Sequence, residues 1–226
     1  MSIPPVHVVS LPGSARRAVV AAHLERLGIA FAFADGVAVP PDRDAFVERF
    51  FAEELGLPPP PSPAKLSHGS LGCALAFLRV IARAGRASTG PFVVLEDDAT
   101  FNPALDPALV RWAPILEKTR GCDVAFLHAT PARCGTVALL VNPGLVRFLA
   151  EARHAHELVD VPIDVYLWRH PGVRRFVFQD VAGAGMFCHA GGMNDAATSE
   201  RLQANLRLSG TEDDRHPTAR RRPPPA

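Results

Sequence analysis

Short apolar runs alternate with amphipathic stretches along the chain up to about residue 178. Val6, Val8, Val9 and Leu11 make residues 6–11 a strand. Pro12-Gly13-Ser14 is a turn, with Ser14 placed as the N-cap of a helix. Val19, Val20, His23, Leu24 and Leu27 fall on one face of that helix, and Gly28 stops it. A second strand over residues 29–33 ends at Asp35-Gly36. This β-α-β opening is typical of a nucleotide-binding half-domain and predicts the α/β class. An amphipathic helix follows over residues 42–55, carrying Phe46, Phe50 and Leu55, and then a stiff proline-rich connector over residues 58–63. Ser67 caps a helix over residues 68–84, with Leu71, Leu75, Leu78 and Ile81 in one stripe. Its small residues Gly72, Cys73, Ala74 and Ala76 allow close packing on a sheet.

The second half continues the alternation. Residues 92–95 are a short buried strand and residues 107–118 are helical in part. Strands follow at 123–128 and 136–141. Asn142 as N-cap and Pro143 at the first position start a helix that runs through Ala152. Residues 159–168 carry Asp160 and Asp164 into another short helix, and residues 173–178 form a late strand. Gly183, Gly185, Gly191 and Gly192 make the next segment loop-like. The expected organisation is one domain over residues 1–209 and a disordered Arg- and Pro-rich tail over 210–226.

Charge narrows the function classes. A formal net charge of +1 argues against a large nucleic-acid footprint. Cys73, Cys122, Cys134 and Cys188 lack metal-type pair spacing and read as buried free thiols, which suits a reducing cytosol. The start of the chain lacks the features of a signal peptide, and no apolar run is long enough to cross a bilayer. The expectation is a cytoplasmic protein, with Arg220, Arg221 and Arg222 offering a weak peripheral contact to an anionic membrane face.

The candidate chemistry lies where the apolar run Phe92-Val93-Val94-Leu95 meets Glu96-Asp97-Asp98. Ligands of open α/β sheets bind beyond the carboxyl ends of strands. Three adjacent carboxylates there are costly unless a cation neutralises them. A hard divalent ion fits oxygen ligands and can also hold a phosphate; the alternative is an acidic strand end facing water. Arg16 and Arg17 open the first helix and are placed either to reach a phosphate or to line a solvated face. Pro12-Gly13-Ser14 is too sparse for a glycine-rich phosphate loop.

Several separated motifs share one pattern. Val8-Val9-Ser10-Leu11 with Arg16-Arg17, residues 66–75 (Leu-Ser-His-Gly-Ser-Leu-Gly-Cys-Ala-Leu), Leu95-Glu96-Asp97-Asp98, Cys134-Gly135-Thr136 and Val161-Pro162-Ile163-Asp164 occur in order. From about residue 5 to 170 the chain resembles glycosyltransferase family 25, the lipopolysaccharide-type galactosyltransferases. It departs from the family at Ser70, where a Glu is usual, and at Ala76-Phe77, where a Ser-His pair is usual. The Tyr expected after Gly135-Thr136 is also missing.

The resemblance implies a GT-A-like, Rossmann-related mixed sheet flanked by helices in a single domain. It implies transfer of a sugar, usually galactose from a UDP-sugar, to a saccharide or glycolipid acceptor, with Mn2+ or Mg2+ as the cation. By the same analogy Asp98 holds the metal, with Glu96 or Asp97 assisting and His189 completing the shell, and Glu96 meets ribose or sugar hydroxyls; the alternative is capping or solvated carboxylates and a surface histidine. Arg16 meets the diphosphate and Asp35 the base or ribose. Asp164 matches the family's acid and is the candidate base for the acceptor hydroxyl; its alternative is a helix-start acid stabilised by the dipole. The departures leave open a degenerate relative that binds nucleotide-sugar without turnover.

Overall fold

A computed structural model describes residues 3–87, 89–101, 112–127, 137–177 and 186–189. Six strands form one mixed sheet in the order β2-β1-β3-β6-β5-β7. They are β1 (Val6–Ser10), β2 (Ala32–Asp35), β3 (Phe92–Glu96), β5 (Val124–Phe126), β6 (Ala138–Val141) and β7 (Arg175–Val177). β1 lies parallel to both β2 and β3, whereas β6 runs antiparallel to β3 and β5. A separate antiparallel pair joins β4 (Ala99–Phe101) to β8 (Phe187–His189). The expected α/β arrangement, a mixed sheet flanked by helices, is therefore present.

Helices cover both faces, so the central strands are apolar throughout instead of alternating with polar residues. Phe92, Val94, Leu139 and Val141 face α3 (His68–Ala87) and α5 (Pro143–Leu149). Val6, Val8, Val93, Leu95 and Leu140 face α1 (Arg16–Arg26) and α4 (Trp112–Thr119). Each large side chain buried this way contributes about 1.5–3 kcal/mol.

The first crossover passes over one face and the return to β3 over the other. β1 is thus the strand at which the order reverses, the place where an open sheet leaves a crevice. Register makes this concrete: Ser10 pairs with Asp35 on one side, and Val9 with Glu96 on the other. The carboxyl ends of all three strands meet at one edge.

Local chemistry moves several predicted boundaries. Ile29 donates its N–H to Leu24 O and Gly28 takes φ +66°, so the chain closes α1 with a glycine cap in which both Leu24 and Ile29 are buried. That use of Ile29 delays the second strand to Ala32. Ser14 sits one residue too early to be the N-cap, which is Ala15; the Ser14 hydroxyl instead accepts from Arg16 N–H. The helix over 43–49, α2 (Arg43–Arg49), widens into a π-helical turn at Phe50–Leu55 and ends at Gly56 with φ +70°.

Asn142 does precede α5 with Pro143 first, but its amide donates to Thr119 O and not to its own helix. That helix stops at Leu149, and α6 (Ala152–Glu157) restarts after an extended Glu151. The break lets His154 stack on Phe148, with ring centroids 3.7 Å apart. The proline-rich connector is pinned by His156 to Pro58 O and by Lys65 to Asp160. Residues 187–189, read as loop, are β8. Residues 102–111 and the tail over 210–226 lie outside the described residues. Among the described residues no helix is long and apolar enough to cross a membrane.

Candidate active site

A cleft of about 560 Å³ opens at the edge where β1, β2 and β3 end. Three segments wall it: the β1-to-α1 turn, the chain over 36–39, and the first turns of α3. Glu96, Asp97 and Asp98 close its floor. The rest of the wall is largely apolar, including Val37, Val39, Ala76, Phe77 and Val94. Gly72 is required for this shape, because a Cβ there would lie 2.4 Å from Val37 O. Gly36 is similarly tight, with a Cβ placed 3.0 Å from Leu11 N.

The three acids have different surroundings. Asp97 is tied on both oxygens: Oδ2 accepts from Ser10 Oγ at 2.6 Å and Ser14 Oγ at 3.2 Å, and Oδ1 accepts from Arg16 at 3.3 Å. Asp98 Oδ2 lies 3.5 Å from the same guanidinium nitrogen of Arg16. Arg16 thus places a cation between two carboxylates at the mouth of the cleft. Arg17 turns the other way. It donates to Ser10 O at 2.8 Å, pairs with the Asp35 carboxylate, and lies 4.9 Å from the centre of the Phe33 ring. Asp35 is therefore engaged by Arg17 beside the cleft, next to the lining residue Gly36.

Cys73 reports on the field in the cleft. The expectation of a buried thiol is not met: Cys73 is exposed and lines the cleft. Its thiol is pushed up to about 11, first by partial burial, then by Glu96, Asp98, Asp97 and Asp164. Asp164, in the first turn of α7 (Ile163–Arg169), therefore belongs to the same negatively charged surface. His189 pairs with Ala99 across β4 and β8, so its backbone lies one register step from Asp98. Its side chain lies outside what the structure describes, as do Cys134 and the segment near Gly135-Thr136.

The departures at Ser70 and Ala76-Phe77 fall in different places. Ser67 Oγ accepts from Ser70 N–H at 3.3 Å and donates to Ser70 Oγ at 3.1 Å. Ser70 thus occupies the third position of a capped helix start, where a Glu would complete a capping box. Ala76 and Phe77 do line the cleft. Sequence reasoning missed Ser10 and took Ser14 only as a cap. The signal for Ser10 was a hydroxyl at the end of a buried strand, where a partner is required.

A second polar cluster lies elsewhere. His154, Glu157 and His170 bring their ligand atoms within 4.8 Å of one another, a convergence that the described acids 96–98 do not show. Its hydrogen bonds argue against a metal. Gly172 N–H donates to His170 Nδ1 at 3.0 Å, which leaves the proton on Nε2, facing Glu157 at 3.5 Å. His154 Nδ1 is engaged by the Tyr166 hydroxyl at 3.2 Å.

The acid-lined switch point matches a sequence family. The sequence model of glycosyltransferase family 25 (LPS biosynthesis protein) matches residues 3–114. Over that stretch the chain is similar to glycosyltransferase family 25. The matched family 25 segment includes every described wall of the cleft from Val9 to Asp98. Among solved structures, a glycosyltransferase involved in glycosylation of the major capsid of PBCV-1 superposes with a TM-score of 0.49 at 14% identity, covering 90% of this chain and 100% of that one. A putative glucose-1-phosphate thymidylyltransferase from Bacillus anthracis, in complex with a sucrose, gives 0.42 at 14% identity, covering 94% and 97%. No curated protein matches the chain. Similarity at these levels bears on neither substrate nor mechanism.

Proposed function

We propose that this chain transfers a sugar, galactose from UDP-galactose in the first instance, to a saccharide or lipopolysaccharide-type acceptor with the help of a divalent cation. The observation that carries the reading is the Arg16 guanidinium held between Asp97 and Asp98 at the strand-order switch. It is a cation standing where the donor set calls for one. Carboxylate oxygens suit Mn2+ or Mg2+, and Asp98, Asp97 and His189 are the residues that would hold it. Such an ion would supply positive charge to the departing nucleoside diphosphate.

The remaining roles belong to the chain itself. Glu96 accepts hydrogen bonds from ribose or donor-sugar hydroxyls, and Arg16 binds diphosphate oxygens. Asp35, steadied by Arg17, meets the base or ribose from the rim. Asp164 takes the proton of the attacking acceptor hydroxyl as the new glycosidic bond forms. The apolar wall at Val37, Val39 and Phe77 excludes water from the reacting centre. A cytoplasmic site of action, with the arginine-rich tail touching an anionic membrane face, is part of the same proposal.

A second reading is favoured by Ala76 and Phe77, which line the cleft where the family pattern has a Ser-His pair. There the chain binds nucleotide-sugar and has lost turnover. One experiment separates the two. UDP-galactose with Mn2+ should raise the melting temperature, since a ligand bound only by the folded state stabilises it, and UDP should then be released with an acceptor saccharide present. A shift without UDP release selects the second reading. No shift with any nucleotide-sugar, with or without metal, sinks both.

A further inference from the structure

We infer that Arg16 is a resident counter-cation that keeps the divalent metal out of the acid pair until a nucleoside diphosphate draws it away. Metal and donor would then bind as an obligately coupled pair. The inference rests on the donor-site reading above and assigns it a control step.

One nitrogen of Arg16 serves both acids, 3.3 Å from Asp97 Oδ1 and 3.5 Å from Asp98 Oδ2. A divalent ion shared by those two oxygens would compete with that nitrogen for the same space. Two cations so close repel strongly in a cleft whose walls are mostly apolar. Asp97 cannot turn away to accommodate both, because Ser10 and Ser14 hold its other oxygen. Arg16 is the group with freedom to move. Its side chain is 41% exposed and lies on the lip of the cleft. Its neighbour Arg17 is not equivalent, being held by Ser10 O, Asp35 and Phe33.

A metal alone must displace Arg16 into water and lose the attraction between it and the acids. A diphosphate changes the balance, because its oxygens accept the planar guanidinium while also binding the metal. Each ligand removes the obstacle to the other. Thermodynamic reciprocity then requires UDP to strengthen metal binding by the same factor as metal strengthens UDP binding.

The test measures Mn2+ binding by electron paramagnetic resonance, without sugar and without turnover, in the full chain, with and without saturating UDP. Wild type should bind Mn2+ about tenfold or more tighter with UDP. Arg16→Gln should bind Mn2+ alone at least about fivefold tighter than wild type, with the UDP effect reduced to below about threefold. Arg16→Lys, which keeps the charge, should bind Mn2+ alone as weakly as wild type. Equal Mn2+ affinity in wild type with and without UDP overturns the inference. So does an Arg16→Gln protein that keeps the wild-type coupling. Should Arg16→Gln fail to fold, the wild-type ratio and the lysine variant still decide. A thermal shift with UDP alone separates this inference from the donor reading. UDP binding indifferent to Mn2+ removes the Arg16 role and leaves the donor site standing, whereas no UDP binding under any condition removes both.

Discussion

Asp97 and Asp98 are adjacent in sequence and opposite in circumstance. Asp97 accepts from two serine hydroxyls on Oδ2, which holds the β1 turn to the end of β3, while its Oδ1 faces Arg16 and is the oxygen left to assist a metal. Asp98 meets the Arg16 guanidinium through Oδ2 at 3.5 Å, a longer contact than any of those made by Asp97. The two asparagine variants should therefore divide stability and chemistry differently. Asp97→Asn weakens charge-assisted bonds and should cost about 1–3 kcal/mol, or several degrees of melting temperature in a chain of this size. Asp98→Asn should lose sugar transfer by about 100-fold or more, together with its metal dependence. Calorimetry and UDP release, run on both proteins, decide. An Asp98→Asn protein that keeps full, metal-dependent transfer would overturn its role as the principal ligand. Nothing in the string Glu96-Asp97-Asp98 distinguishes these roles, because the serines that claim Asp97 lie more than 80 residues earlier in the chain.

Among the elements, α3 does most to shape the cleft. Leu71, Leu75, Leu78 and Ile81 bury its stripe, as their spacing predicts. Gly72 brings it against the chain leaving β2, with Val37 O 2.4 Å from where a Cβ would be. That contact is to backbone, which cannot swing aside as a side-chain tip can. Gly72→Ala should therefore push residues 36–39 outward, cost about 1–3 kcal/mol, and weaken UDP binding in the same protein. Denaturant unfolding and calorimetric titration with UDP check the two effects. An alanine variant with wild-type stability and UDP affinity would show that the wall is compliant. Elements with long apolar runs or a full helical stripe, such as β1, α3, β3 and β6, were legible from sequence because burial on both faces or one face writes a pattern. β4 and β8 were not. Each is three residues long, and Ala99 finds its partner at His189, far along the chain. Their pairing is a tertiary choice with almost no local signal.

At the scale of the whole molecule the sheet has two jobs at its two ends. The carboxyl ends of β1, β2 and β3 hold the acids, Arg16 and the cleft. The opposite end is held together by Asp123, just before β5. Its carboxylate accepts from Arg174 N–H at 2.8 Å and from the guanidinium at 3.1 and 2.8 Å. Its carbonyl accepts from Asn142 N–H at 3.0 Å. Gly144, in the first turn of α5, leaves no room for a Cβ beside it. One residue thus joins the starts of β5 and β7 to the start of α5. Its place at the head of an apolar run was readable from sequence, but the antiparallel β6 that brings Asn142 there was not. Burial raises the carboxyl of Asp123, yet the hydrogen bonds and charge of Arg174 outweigh that and hold it below the ordinary value. A carboxyl depressed in the folded state stabilises above its unfolded pKa of about 3.9, and that contribution disappears as pH falls through the folded value. Asp123→Asn should therefore be less stable than wild type at pH 7 by about 1–3 kcal/mol. The gap between the two proteins should hold down to about pH 4 and close below it. Transfer activity at a temperature where both are folded should not change, since Asp123 lies at the far end of the sheet from the acids. Melting curves from pH 7 to pH 2.5, paired with UDP release at 20 °C, test both halves. A gap that persists undiminished at the acid end would mean that Asp123 stabilises through shape alone, and a loss of activity in the folded variant would mean that the two ends of the sheet are coupled.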